Sequence, residues 1–152
     1  MITVQPPIEH LSRLLRTEIP LLTAMQISIE RYAPQELVLS APLQANRNPH
    51  GTAFGGSIAT LGIASGWAWV YLWLQDKGIT SSLVIQKHSL EYLKPVEDDF
   101  SAVCTAPGDE QQQAFLQALS ATGKASIQVS IATRCKGETA AQHEATYTAI
   151  LK

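Results

Sequence analysis

The chain has few cysteines and few charged residues, and these shortages exclude several classes of protein. Its 152 residues include only Cys104 and Cys135, whose spacing matches no metal-binding motif. Both lie in apolar stretches, so we expect buried, reduced thiols, which are typical of the cytoplasm. Charged residues make up 16% of the chain and form no dense basic cluster. We therefore predict no nucleic-acid partner, no metal and no cofactor.

Features of an export signal are also missing. Residues 1–7 have no charged start followed by an apolar run, so the sequence predicts no signal peptide. The location predicted from the reduced thiols is the cytoplasm. Hydrophobic residues make up 45% of the chain, which is enough to bury a core, and no repeat or linker is visible. We predict a single domain over residues 1–152.

The longest stretch without charge, residues 53–74, is the dominant feature of the sequence. It is rich in glycine, alanine and serine, and Gly78 beyond its end suits a left-handed helix cap. Its length would allow a membrane-spanning helix. We instead predict a central helix and no membrane partner, because the glycines weaken a lone span and the flanking strands need a core to cover.

The segments on both sides of this helix predict mostly strands. Before it we expect a helix over 8–18, ended by Pro20, and strands over 25–29 and 37–43. After it we expect strands over 82–93, 100–106, 124–135 and 145–151, with a short helix over 110–122 and a turn at 136–138. Strands grouped around one helix indicate an α+β fold with an antiparallel sheet.

Two motifs resemble those of hot-dog-fold thioesterases. In Asn46–Ser57, an Asn-containing loop and a Gly-Thr pair precede two glycines that open the central helix. In Ser89–Val96, a strand ends in an aromatic residue, leucine, a basic residue and proline. Together, and over residues 20–151, they most resemble a bacterial thioesterase domain that occurs alone or fused behind an N-acetyltransferase domain. No acetyltransferase phosphate-binding loop is present in this sequence.

This resemblance implies a hot-dog fold, in which an antiparallel sheet wraps around a long central α-helix. It implies a homodimer, with a tetramer as the open alternative, and sites formed between subunits. The substrate would be an acyl thioester of CoA or of a carrier protein. The backbone amides of Gly55, Gly56 and Ser57 would bind the thioester carbonyl, since amides at a helix start lack internal partners. The alternative is that the glycines only permit close packing.

Three side chains, Asn48, His50 and Glu91, are candidates for the catalytic site. In thioesterases of the phenylacetate-pathway type, a histidine and an aspartate occupy the places that Phe54 and Ile63 hold here. Asn48 matches a loop asparagine that orients water or substrate. His50 is a candidate base or a surface residue, because histidine exchanges protons near neutral pH. Glu91 is a second candidate base if its apolar neighbours bury it, and otherwise a solvent-facing residue.

The pattern of the strand that carries Glu91 leaves its orientation open. By alternation, His88 shares one side with Gln86 and Leu90, whereas Glu91 lies on the other side. The mixed polarity of both sides does not show which one faces the helix.

Three functions are compatible with these residues. Acyl-thioester hydrolysis ranks first. A non-catalytic acyl-ligand-binding protein ranks second, because Phe54 and Ile63 cannot move a proton. A hydratase or dehydratase ranks last, since its paired aspartate and histidine are not evident. Trp67, Trp69 and Trp73 are expected in the core or a dimer interface, the alternative being the wall of an acyl tunnel.

Overall fold

The structure, a computed structural model, describes residues 7–152. The prediction that no signal peptide is present concerns the first residues and lies outside this range. Ten helices and strands follow one another in the described residues: α1 (Pro7–Glu18), α2 (Pro20–Ala24), β1 (Ser28–Ala33), β2 (Glu36–Ala41), α3 (Gly55–Asp76), β3 (Ser81–Tyr92), β4 (Phe100–Thr105), α4 (Asp109–Thr122), β5 (Lys124–Cys135) and β6 (Glu138–Leu151).

The six strands form one antiparallel sheet in the order β1-β2-β4-β5-β6-β3. The long helix α3 packs against one face of this sheet and contacts β2, β3, β4, β5 and β6. A sheet that wraps around one long helix is the predicted hot-dog arrangement, and the α+β prediction is confirmed. The strands β1 and β3 lie at the two edges.

Alternation along β5 shows which face of the sheet is the core. Ile127, Val129 and Ile131 are buried, whereas Gln128 and Ser130 are exposed. Every second residue therefore points to the side of α3, which we call the inner face. Because β6 pairs with β5 along its whole length, it continues this face. The inner row of β6 is Ala141, His143, Ala145, Tyr147 and Ala149.

Glycines on α3 let the helix lie close to the inner face. A Cβ atom at Gly62 would lie 2.3 Å from ring atoms of His143. Gly66 faces Tyr147 in the same way, and the Tyr147 hydroxyl donates to the carbonyl of Ile63 at 2.6 Å. Both rings are buried and cannot move aside. Any side chain at these two positions would push the helix away from the sheet.

The surroundings of α3 show that it is a core helix and not a membrane-spanning one. By length and composition alone it could cross a membrane, but 67% of its most apolar segment is buried within the structure. Its side chains Leu61, Trp69 and Leu72 lie in the core formed with the sheet. The prediction of a central helix is confirmed.

Two segments before α3 differ from the sequence prediction. Pro20 ends α1 as expected, but it also begins α2, because proline suits the first turn of a helix. The strand β1 begins at Ser28 rather than Met25, since Gln26 adopts a positive φ of 57° that interrupts an extended chain.

The last strand is longer than predicted. It begins at Glu138 rather than Ala145, directly after a tight turn in which Lys136 and Gly137 have φ angles of 50° and 75°. Positive φ at both central residues gives a turn whose twist matches that of paired strands. The alanine-rich, polar start of the strand lacks the alternation by which β5 was identified.

Replacing Gly66 is expected to destabilise the fold. In Gly66→Ala the new Cβ would lie 2.4 Å from the Tyr147 hydroxyl, so we expect the free energy of unfolding to fall by about 1–3 kcal/mol. The matched control is Gly56→Ala, whose Cβ has its nearest contacts with the exposed Phe54 ring, which can turn aside. Urea unfolding at equilibrium measures both variants. Equal stability of the two would contradict the packing argument.

Candidate active site

The loop before α3 is folded by the side chain of Asn48. Its Oδ1 accepts hydrogen bonds from the amides of His50 and Thr52 at 2.9 and 3.2 Å, and its Nδ2 donates to Thr52 Oγ1 at 2.8 Å. The structure therefore brings Asn48 and His50 together, as the motif suggested. The Asn48 side chain thus uses its hydrogen bonds to hold the loop in shape. The His50 side chain lies exposed beside it.

Two amides at the start of α3 are free to bind an acceptor. Phe54 is extended, with φ −63° and ψ 132°, and its carbonyl accepts from the amides of Ser57 and Ile58. Gly55 and Gly56 donate to no acceptor among residues 7–152. The amide of Ser57 is therefore already used, which differs from the expectation of three free donors. The first turn of α3 offers two.

The two sequence motifs meet at this helix start. The amide of Ala53 donates to the carbonyl of Val96 at 2.8 Å, and the Tyr92 hydroxyl donates to the carbonyl of Gly55 at the same distance. Lys94 forms an ion pair with Glu138 at the start of β6. The motifs enclose an open groove of about 410 Å³, lined by Thr52, Ala53, Gly55, Ile58, Tyr92, Leu93, Lys94, Pro95 and Val96.

Glu91 lies on the face of the sheet that points away from α3. It pairs with Gln142, whereas Tyr92 pairs with the inner residue Ala141. Its side chain is exposed, so the burial that would have made it a stronger base is not found within the chain. For Glu91 the structure favours the solvent-facing alternative, and its catalytic role stays a prediction.

An irregularity in β3 changes which side chains share a face. The register shifts between Ile85 and Lys87, so Gln86 does not lie with His88 as strict alternation predicted. Gln86 instead accepts hydrogen bonds from Ser126 and Thr148 on the outer face. The inner row of β3 consists of Leu83, Ile85, His88, Leu90 and Tyr92.

A buried histidine that the sequence did not single out lies beside α3. His143 of β6 packs on Gly62, and its Nδ1 lies 3.0 Å from Nε2 of His88. Its Nε2 lies 2.7 Å from the hydroxyl of Thr133 on β5. Burial lowers the pKa values of both histidines. The signal in the sequence was the position of His143 in a row of alternating alanines and Tyr147.

The tryptophans of α3 have two different surroundings. Trp69 and Trp73 are buried and stacked with ring centroids 5.2 Å apart, so their predicted core packing is confirmed. Trp67 is half-buried and donates from Nε1 to the carbonyl of Leu83 at 2.9 Å. It lines an apolar groove of about 360 Å³ together with Leu15, Ile19, Leu21, Leu22, Thr60, Ile63, Ala64, Leu83, Val84, Ile85 and Tyr147.

Comparison with known proteins identifies relatives of this arrangement. The family YiiD_C, described as "Putative thioesterase (yiiD_Cterm)", matches residues 8–151. A protein of unknown function from Chlorobaculum tepidum TLS superposes with a TM-score of 0.90 at 27% identity, over 95% of this chain and 94% of that chain. The putative thioesterase from Shewanella oneidensis gives a TM-score of 0.85 at 29% identity, over 95% and 97%.

A thioesterase from Haemophilus influenzae shares the fold at 17% identity, with a TM-score of 0.74 over 99% of this chain and 93% of that chain. The family match over residues 8–151 and the similarity to the Shewanella oneidensis structure confirm the resemblance to hot-dog thioesterases that the two motifs predicted.

Acidification is expected to destabilise the fold through His143. Burial, with a smaller contribution from the adjacent His88, lowers its pKa to about 4, whereas histidine in the unfolded chain has its ordinary value of about 6.5. The unfolded chain therefore binds the proton more readily. The free energy of unfolding should fall by up to about 3 kcal/mol as the pH drops from about 6.5 to 4.

Equilibrium unfolding over this pH range measures the effect. His143→Gln keeps hydrogen-bonding groups but cannot be protonated, so its stability should fall less steeply between these pH values. Identical slopes for the variant and the wild type would show that His143 is not the group responsible.

Proposed function

Because the chain belongs to the YiiD_C thioesterase family, we propose that it hydrolyses acyl thioesters at the start of α3, with acyl-CoA or an acyl carrier protein as substrate. The observation that carries the proposal is the pair of free amides at Gly55 and Gly56 beside an open groove. The thioesterase named from Haemophilus influenzae supports the same class of reaction. We place the protein in the cytoplasm, since Cys104 and Cys135 are buried free thiols.

The free amides match the charge that develops during hydrolysis. As water attacks the carbonyl carbon, negative charge builds on the carbonyl oxygen, and the amides of Gly55 and Gly56 would donate to it. They lie at the start of a 22-residue helix, whose dipole adds roughly half a positive charge there. One such donor contributes about 3 kcal/mol to the transition state. The C–S bond then breaks, the sulfur takes a proton, and a carboxylic acid and a thiol leave.

The surroundings of the amides suit an apolar substrate. The exposed rings of Phe54 and Tyr92 lie on either side of Gly55 and Gly56, and the Tyr92 ring is held by its hydrogen bond to the Gly55 carbonyl. Exposed aromatic rings beside a polar donor pair are typical of sites that hold a ligand with one polar group. We assign this place to the thioester group.

We place the acyl chain in the apolar groove beside Trp67. Gly56, Thr60, Ile63 and Trp67 follow one another at helical spacing along one side of α3, so this groove continues from the free amides. A chain bound there would be covered by α1 and α2 from one side and by β3 from the other. This assigns Trp67 to the wall of an acyl site.

We further propose that the protein is a homodimer, with the site completed by its partner. The edge strand β3 has 12 residues, exposes Val84 and Ile85, and leaves one side of its backbone unpaired within the described chain. The opposite edge β1 has six residues, a register shift after Ile29, and exposed charges. Such features protect an edge from pairing, whereas a long apolar edge favours it.

Removing one free amide should slow hydrolysis. Gly55→Pro deletes the amide hydrogen at the first helical position, where proline fits and where the extended Phe54 before it is compatible. We expect kcat to fall about 100-fold. Thiol release from a panel of acyl-CoA esters measures it.

The matched control is Gly55→Ala, which keeps the amide but adds a Cβ 3.2 Å from the Tyr92 hydroxyl. Its loss should be far smaller than that of Gly55→Pro. Equal losses would mean that the added atoms, and not the missing donor, cause the effect. Tight binding of an acyl-CoA by the wild type without any thiol release would favour the non-catalytic alternative.

The same assay decides the roles predicted from the sequence for Asn48, His50 and Glu91. A residue whose alanine variant hydrolyses as fast as the wild type is removed from the site. A loss in Asn48→Ala has to be separated from unfolding of the loop by a thermal melt, because that side chain holds the loop together.

The homodimer is tested by light scattering. The double variant Val84→Asp, Ile85→Asp places negative charges at the edge of β3, where two copies would bring like charges together. We expect the wild type to elute as a dimer and the variant as a monomer. The control is Ile8→Asp, which changes an exposed apolar residue on α1, away from the edge of β3. If the wild type is a monomer, the proposal that two subunits share a site is wrong.

A further inference from the structure

A line of hydrogen-bonded side chains runs from the core to the edge of the sheet. Thr133 and His143 are buried, His88 on β3 is half-buried, and each lies within 3.0 Å of the next. We propose that His88 of one subunit accepts the proton of the attacking water in the site of the other, and that His143 and Thr133 position it. This inference rests on the proposed thioesterase function.

The geometry leaves one ring nitrogen of His88 available. Its Nε2 faces His143, so its Nδ1 is the atom that can meet a substrate or water. Both nitrogens of His143 have partners, and its ring is packed on Gly62, so it cannot rotate. Because His143 is itself fixed by its hydrogen bonds, it holds the His88 ring in one orientation. A general base requires such a fixed orientation.

The proton that the attacking water loses can be accepted and returned by His88, the first member of this line of side chains. When His88 Nε2–H donates to His143 Nδ1, and His143 Nε2–H donates to Thr133 Oγ1, the lone pair on His88 Nδ1 is free. Water gives a proton to that atom while its oxygen bonds to the carbonyl carbon. When the C–S bond breaks, the same proton passes to the leaving sulfur. His88 is neutral again, and the acid and thiol contain all the atoms of the thioester and the water.

Competing groups around the pair are poor bases or lie elsewhere. On the inner face, the titratable side chains nearest along the two strands are Tyr92 and Tyr147, and burial raises the pKa of Tyr147. The charged side chains of Lys87, Glu91 and Glu144 lie on the outer face of the sheet, away from the histidine pair. The helix α3, which covers the pair, has no charged residue before Asp76 at its end. His88 is therefore the inner-face group that can accept a proton from water, and because burial lowers its pKa it is uncharged at neutral pH.

Distance assigns His88 to the site of the partner. His143 packs on Gly62, which lies roughly 10 Å along α3 from Gly55. A carbonyl bound by the amides of Gly55 would therefore be beyond the reach of His88 in the same chain. His88 lies near the middle of the exposed edge strand β3, where a second copy would bring its own helix close. The proposed dimer thus completes the site.

Kinetics of thiol release test the proposal directly. In His88→Gln we expect kcat to fall about 100-fold or more, with KM changed less than about threefold, because a proton acceptor acts on the reaction and not on binding. Ser89→Ala, next along the strand but on the outer face, is the matched control. Circular dichroism and a thermal melt confirm that each variant folds.

The outcomes separate this inference from the proposed function. An active wild type with an equally active His88→Gln overturns the role of His88 and leaves the thioesterase function standing. A wild type that releases no thiol from any ester overturns both.

The pH profile separates positioning from mere packing. His143→Phe keeps a ring on Gly62 but removes the acceptor for His88, so protonation of His88 becomes harder and the acid limb of kcat/KM should move to lower pH. His143→Gln retains an acceptor and should restore most of the wild-type profile. If both variants lose stability while the acid limb stays in place, His143 is structural and the positioning role is overturned.

Mixed dimers test which chain supplies His88. In a dimer of one Gly55→Pro chain and one His88→Gln chain, one of the two sites would have both intact groups if they come from different subunits. We expect the purified mixed dimer to recover about half of the wild-type kcat. Activity no higher than that of the two variant homodimers would place both groups in one chain and overturn the shared site.

Discussion

The close approach of α3 to the sheet is the constraint on which the rest of the structure depends. Bulky side chains on the inner face, among them His143 and Tyr147, stand directly beneath the helix, and only glycine at positions 62 and 66 leaves room for them. Because a packed interior has little free volume, the helix cannot rise or rotate without losing these contacts. The distance between its first turn and the sheet is therefore fixed, and with it the position of the free amides of Gly55 and Gly56.

The connections around the helix start follow from this placement. The loop folded by Asn48 enters α3 from one side, and the end of β3 approaches from the other, where Tyr92 bonds to the carbonyl of Gly55. A single backbone hydrogen bond between Ala53 and Val96 joins the two motifs. Amides without partners are ordinary at a helix start. Here Gly55 lines an open groove with Gly56 next to it, and the proposed chemical role rests on that combination.

The polar groups under α3 are few and mostly paired with one another. Thr133, His143 and His88 form one hydrogen-bonded line, which offsets the cost of burying them. The same line ends at the exposed edge of β3, where the sheet lacks a neighbour within the described chain. The edge strand therefore links two proposals, a partner subunit and a proton acceptor, that the sequence motifs had suggested only in general form.

The sequence by itself determined the central helix, the alternation of β5 and the two motifs, because each depends on composition and spacing over a short stretch of chain. It could not determine which face of β3 turns inward, since one register shift at Gln86 exchanges the faces. Nor could it pair His143 with His88, because hydrogen bonds between distant strands depend on sheet order and register. The sequence made Glu91 a candidate base and gave His88 no role, because the inward face of their strand was open. Only the tertiary structure placed one beside the helix and the other in solvent.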